Sequence, residues 1–100
     1  MITEIEPTLA KAWLDKGEAV LIDVREQSEY EAEAIPGSEL HPLSVFDPAT
    51  IAPIQKVIFH CRSGRRSHEA AARWSKLHHT PAYNLKGGIE GWKKAGLPIF

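Results

Sequence analysis

Two short runs restrict the fold of this chain more than any other feature. Ala19-Val20-Leu21-Ile22-Asp23-Val24 is almost continuously apolar, and Val57-Ile58-Phe59 repeats the pattern. A strand with one face in water alternates apolar and polar side chains, whereas a strand apolar on both sides is covered on both. Such covering calls for helices above and below a sheet, and the segments between the runs read as helices. Leu9 and Trp13 share one face of a helix running to Leu14, with Gly17 as its stop. Ser28-Glu29-Tyr30-Glu31 reads as a capping box that opens a short helix, which must end before Pro36. Asp47-Pro48 reads as an N-cap followed by proline at the first helical position. Ala70, Ala71, Trp74 and Leu77 line the inner face of a helix from about Ser67 to His78. Gly87-Gly88 precedes a last short helix around Ile89 to Lys94. Ala82-Tyr83-Asn84-Leu85 and Glu39-Leu40-His41 are weaker strand candidates, and Ile2 to Ile5 suits an edge. The alternation predicts a single α/β domain over residues 1–100, with a central, mostly parallel five-stranded sheet and helices on both faces.

The composition limits the function. One hundred residues, 43% of them hydrophobic, suffice for one core. A net charge of −1 leaves no overall field for nucleic acid or an anionic membrane, so any basic function must come from a local cluster. The single cysteine excludes an internal disulfide and any C-x-x-C metal site. MITEIEPTLA lacks the apolar stretch of a signal peptide, and no run approaches the roughly 18 apolar residues of a membrane span. The expectation is a cytoplasmic domain whose thiol stays reduced.

That thiol is Cys61, at the carboxyl end of the Val57–Phe59 strand, where open α/β sheets bind ligands. The residues from Arg62 to Arg66 must turn into the start of the next helix. Successive backbone N–H groups in such a turn form an anion-binding concavity, and the helix start adds partial positive charge. A thiolate there is stabilised, so the thiol pKa falls. Arg62, Arg65 and Arg66 strengthen the positive field. Gly64 lets the backbone close around a group bonded to sulfur, where a Cβ could obstruct the turn. The competing readings are a small buried hydrophobe for Cys61 and a solvated loop for the arginines.

Two chemistries use such a loop, and a count separates them. Cysteine phosphatases follow H-C-x-x-G-x-x-R-S/T, and His60-Cys61 begins in that style. Here Ser67 stands where the phosphatase arginine belongs, because Arg66 arrives one residue early. The shorter loop makes a tighter cradle, suited to a sulfur atom more than to a tetrahedral phosphate.

Cys61-Arg62-Ser63-Gly64-Arg65-Arg66-Ser67 resembles the active-site loop of rhodanese sulfurtransferases. Leu21-Ile22-Asp23-Val24-Arg25 resembles the family's first internal strand motif, and Ile35-Pro36-Gly37-Ser38 its turn into the next strand. Asn84-Leu85-Lys86-Gly87-Gly88-Ile89, with Trp92 and Gly96-Leu97-Pro98, resembles its C-terminal signature. The match runs in order along nearly the whole chain. His60-Cys61, Pro42-Leu43-Ser44-Val45 and the Gly91–Pro98 stretch look closest to the rhodanese domain of bacterial inner-membrane sulfurtransferases, in which a hydrophobic tail follows the domain. Two departures stand out: Glu33-Ala34 replaces the usual Gly-His, and His78-His79-Thr80-Pro81 lacks the glycine usual before the last strand.

The resemblance implies a sulfurtransferase that carries a sulfane sulfur as a persulfide on Cys61. The donor would be thiosulfate or a persulfide, and the acceptor cyanide in an assay or a thiol in the cell, with a protein sulfur carrier as a further partner. No cofactor beyond the covalent persulfide, no nucleic acid and no membrane segment within the chain are implied. If the natural protein continues beyond Phe100, the domain would lie at the inner face of a membrane. Arg62, Ser63, Gly64, Arg65, Arg66 and Ser67 would bind the anionic donor, and Asp23 and Arg25 would support the loop. The alternatives are a cysteine-based phosphatase or arsenate reductase, and a non-catalytic rhodanese-like binding module. No metal is expected, because His60, His68, His78, His79 and Cys61 match no ligand spacing. Trp13, Trp74 and Trp92 are expected in or near the core.

Overall fold

The computed structural model describes all 100 residues, Met1–Phe100. Its elements alternate: β1 (Ile2–Ile5), α1 (Pro7–Asp15), β2 (Ala19–Asp23), α2 (Gln27–Ala32), β3 (Glu39–Leu40), β4 (Lys56–His60), α3 (Arg65–His78), β5 (Ala82–Leu85) and α4 (Gly88–Lys94). Two 3-10 turns, Leu43–Val45 and Pro48–Thr50, link β3 to β4. The five strands form one sheet in the order β1-β5-β4-β2-β3. Every pairing is parallel, so the sheet is more uniform than the sequence suggested. β4 is central, between β5 and β2, and β1 is indeed an edge.

Strand alternation sends successive side chains to opposite faces. Val57, Phe59 and Cys61 pack with Ile22, Val24 and the α3 residues Ala70, Ala71 and Trp74. On the other face, Leu21, Ile58 and Leu85 pack with Ala10 of α1 and with Ile89 and Trp92 of α4. Trp74 and Trp92 are buried, and each indole N–H donates to a carbonyl, that of Ile51 or Pro98, at 2.8 Å. Trp13 is partly buried, edge-on to Tyr83 at a centroid distance of 5.0 Å.

Four local expectations are corrected. The capping box of α2 is made by Glu26 and Glu29, two residues before the Ser28 start. Asp47 caps as expected, its carboxylate accepting the Ala49 N–H at 3.0 Å, but only a three-residue 3-10 turn follows. α3 begins at Arg65, and Leu77 is half exposed. The buried stripe advances from Trp74 by four residues instead of three. It reaches the partly buried His78, whose ring packs at a tilt of 45° against Trp74 and bonds the Pro48 carbonyl at 2.9 Å. Where the family's glycine is missing, His79 ends α3 in the left-handed region with φ of 51°. No helix is long and apolar enough to cross a membrane.

Candidate active site

β4 carries the chain straight to Cys61, whose side chain lies on the α3 face with 1% exposure. Only Arg62, Ser63 and Gly64 separate Cys61 from the first residue of α3. Gly64 is the N-cap, and its N–H donates to Cys61 Sγ at 3.1 Å. Its φ of +116° is costly for any residue with a side chain. A Cβ there would meet nothing closer than 3.8 Å, so the dihedral requires glycine and the available space does not. Ser67, in the first turn of α3 and fully buried, places Oγ 3.4 Å from Sγ. Burial alone pushes the Cys61 thiol pKa up. The Ser67 hydroxyl and the N–H groups of Ser67, Gly64 and Ser63 outweigh it, so the pKa lies below its ordinary value.

The arginines do not act as one positive cluster. Arg66 makes a two-pronged bond to Glu29 of α2 at 2.8 and 3.0 Å. That hydrogen bond lowers the Glu29 pKa to about 2. Arg62 Nε is 2.9 Å from Glu90 Oε2 on α4, and both side chains are well exposed. Arg65 is exposed and makes no ion pair. A cleft of about 310 Å³ between α2, the loop and α4 is lined by Arg25, Glu29, Glu33, Arg62, Ile89 and Glu90 among others. Its walls alternate in charge.

Asp23 and Arg25 are both buried beneath this region. Arg25 Nη2 and Nε reach the Asp23 carboxylate at 2.7 and 3.0 Å, and Nη2 also donates to the Glu33 carbonyl at 2.8 Å. The pair thereby ties the end of β2 to the last carbonyls of α2, the helix that supplies Glu29. Removing one partner of a buried pair strands the other charge at a cost of about 3–5 kcal/mol. His60, opposite Asp23 in the sheet, is fully buried. Its Nδ1 is 3.3 Å from the Cys61 carbonyl, which can only accept, so that nitrogen is assigned the proton. Nε2 has no hydrogen-bond partner and lies 3.5 Å from Asp23 Oδ2. Burial lowers the His60 pKa to about 4, so the ring is neutral. His68 is exposed, and His78 and His79 lie at the far end of α3.

Some neighbours of the loop were not singled out from the sequence. The N–H groups of Ile89 and Glu90, at the start of α4, donate to the carbonyls of Cys61 and Arg62 at 2.9 and 3.2 Å. Gly88 lies against the same backbone: a Cβ there would stand 2.5 Å from both carbonyl oxygens. Asn84 Oδ1 accepts from Ser67 Oγ at 2.5 Å. Within the sequence, Gly87-Gly88 reads as preceding the last helix and Asn84 as part of a weak strand, and both as parts of a resembling motif, with no link to the thiol. Glu29 is marked only within a capping-box pattern, and nothing local marks Glu90.

A low-pKa thiolate at a strand end, inside a ring of N–H donors, can attack an electrophilic atom and hold the negative charge left on it. Known proteins resemble this chain in sequence and in fold. The model of the rhodanese-like domain matches residues 6–95. A sulfurtransferase of Allochromatium vinosum is 33% identical over 103 residues, which cover 99% of this chain and 95% of that protein. The thiosulfate sulfurtransferase GlpE of Actinobacillus succinogenes is 30% identical, with 97% of this chain and 89% of that protein covered. In fold, the solution structure of a rhodanese-like domain from Anabaena superposes with a TM-score of 0.85 at 20% identity, over 100% of this chain and 80% of that one. The family model spans four of the five strands and all four helices described above, and with relatives matched along almost their full length it shows that this chain belongs to the rhodanese-like domain family.

Proposed function

We propose that the protein is a sulfurtransferase that moves a sulfane sulfur through a persulfide on Cys61. The observation that carries this reading is the thiol itself: Sγ ends the central strand and takes a 3.1 Å bond from the Gly64 N–H, with the Ser67 hydroxyl at 3.4 Å. The Cys61 thiolate attacks the outer sulfur of thiosulfate. The new S–S bond forms as the sulfur–sulfur bond of the donor breaks, and sulfite leaves with that electron pair. The negative charge then rests on the terminal sulfur of the persulfide, where the loop N–H groups stabilise it. Cyanide, or a thiolate in the cell, attacks that terminal sulfur and returns Cys61 as thiolate. A small-molecule persulfide or a protein sulfur carrier can enter the same sequence, and no further cofactor is needed. A cycle that starts from a free thiolate belongs in a reducing compartment such as the cytoplasm.

The phosphatase alternative is less well supported. Arg66 precedes the position that a phosphate cradle requires, and Glu29 already occupies its guanidinium. A purely binding role leaves the buried thiol and its donors without a purpose. The test is the intact mass of the protein after incubation with thiosulfate. A gain of one sulfur atom, lost again to cyanide and absent from Cys61→Ser, is expected. Hydrolysis of p-nitrophenyl phosphate without any sulfur uptake would reverse the assignment.

A further inference from the structure

Asn84 is an unusual residue for a buried strand. It lies in β5, paired in register with Phe59 of β4, and is 2% exposed. Asparagine is depleted in strands, and a buried primary amide costs free energy unless its hydrogen bonds are made. Here they are made, and all at the thiol loop or behind it. Nδ2 donates to the Gly64 carbonyl at 3.0 Å and to Glu4 Oε2 of the edge strand at 2.8 Å, and Oδ1 accepts from Ser67 Oγ at 2.5 Å. The orientation of the amide follows from those partners. Reversing it would set Oδ1 against a carbonyl and a carboxylate, neither of which can donate.

This orientation has a consequence for sulfur. Ser67 has a single hydroxyl proton and two claimants for it, Asn84 Oδ1 and Cys61 Sγ. While Cys61 is a thiol, its S–H can point to Ser67 Oγ and the hydroxyl proton can rest on Asn84. When the thiol proton leaves, the hydroxyl rotates to the thiolate and Asn84 Oδ1 loses its bond. The other sulfur donor, the Gly64 N–H, belongs to a residue whose carbonyl is pinned by Asn84 Nδ2. One side chain on a neighbouring strand therefore acts on both.

We propose that Asn84 is a positioning residue of the thiolate site: it aims the Gly64 N–H at Sγ and competes with Sγ for the Ser67 proton. The inference rests on Cys61 working as a thiolate but not on sulfur being the group transferred. The charged and titratable groups around the thiol loop are Arg66 with Glu29, Arg62 with Glu90, the exposed Arg65, the Asp23–Arg25 pair with the neutral His60 beside it, and Glu4, which accepts from Asn84 itself. Of these, only Glu4 bonds the side chain of residue 84.

The isosteric change Asn84→Asp tests the proposal. It removes the donor to Gly64 and offers Ser67 a stronger acceptor. The inflection in Cys61 alkylation rate by iodoacetamide against pH should rise by roughly one unit, because a thiolate that loses hydrogen bonds and gains a nearby carboxylate is disfavoured. Alkylation at pH 7 then slows by up to roughly tenfold and recovers at higher pH. Should repulsion from Glu4 unfold the variant, the same change is made in a Glu4→Gln background, where the introduced amide can donate to the new carboxylate. A raised inflection in folded protein supports the proposal whether or not the wild type accepts sulfur. An inflection that stays put or falls overturns it, even if the wild type loads sulfur normally.

Discussion

Arg62 and Arg65 carry the same charge within one loop, yet the structure gives them different freedom. Arg62 is bonded to Glu90, and Arg65 makes no ion pair. A free exposed charge can steer an anionic donor, whereas a paired one presents little net field. Arg65→Ala should therefore slow sulfur uptake from thiosulfate by roughly threefold at low salt, in keeping with an exposed interaction worth under 1 kcal/mol. The loss should shrink at high salt and be absent with an uncharged donor, whereas Arg62→Ala should do less. Uptake rates at two ionic strengths measure this, and equal losses for both variants would mean that the Glu90 pairing is not maintained in solution. The requirement for Gly64 belongs to the same scale, since it lies in a dihedral of +116° and not in a crowded contact.

Between elements, the decisive contact is α4 against the thiol loop. The first N–H groups of the helix hold the carbonyls of Cys61 and Arg62, which sets the direction in which the loop leaves β4. Gly88 makes that approach possible. Gly88→Ala forces a Cβ to 2.5 Å from backbone oxygen and also occupies a φ of +60°. Overpacking of about 1–3 kcal/mol adds to about 1 kcal/mol for the left-handed conformation. Gly37→Ala is the control: its φ is +82° with nothing within 4 Å, so only the conformational cost of about 1 kcal/mol applies. Chemical denaturation of the two variants should separate them by at least 1 kcal/mol. If they lose the same stability, the α4 contact yields without cost. α2 has a parallel role, since Glu29 both caps its first turn and holds Arg66, while Arg25 takes its last carbonyls.

For the molecule as a whole, acid is the expected weakness. The His60 pKa is about 4 in the folded protein, against an ordinary value of 6.5. Between those values the unfolded chain binds a proton that the folded protein does not. Stability is therefore full above pH 6.5 and is lost as pH falls toward 4, by up to about 3 kcal/mol. The Glu29 contribution is present above 4.5 and is lost further down, toward pH 2. Urea unfolding at pH 7 and pH 5 should show the first loss, and His60→Gln, which cannot titrate but keeps a donor for the Cys61 carbonyl, should flatten it. An equally steep loss in that variant would place the titrating group elsewhere.

The sequence by itself determined what short-range geometry controls. The apolar runs at β2 and β4, the helical stripe through Ala70, Ala71 and Trp74, and the turn from Cys61 to Ser67 depend on periods of two to four residues and on backbone dihedrals. These were enough for the alternating α/β plan and for finding the thiol. What the tertiary structure alone decided is which distant side chains complete the loop. Glu90 stands 28 positions from Arg62, Glu29 37 from Arg66, and Asn84 17 from Ser67. No local pattern ranks one carboxylate or amide above another at such separations, because their meeting follows from the strand order and from the faces on which the helices pack. Even the choice of His78 over Leu77 as the end of the buried stripe was made by the Pro48 carbonyl and the Trp74 ring, which are brought there by the fold.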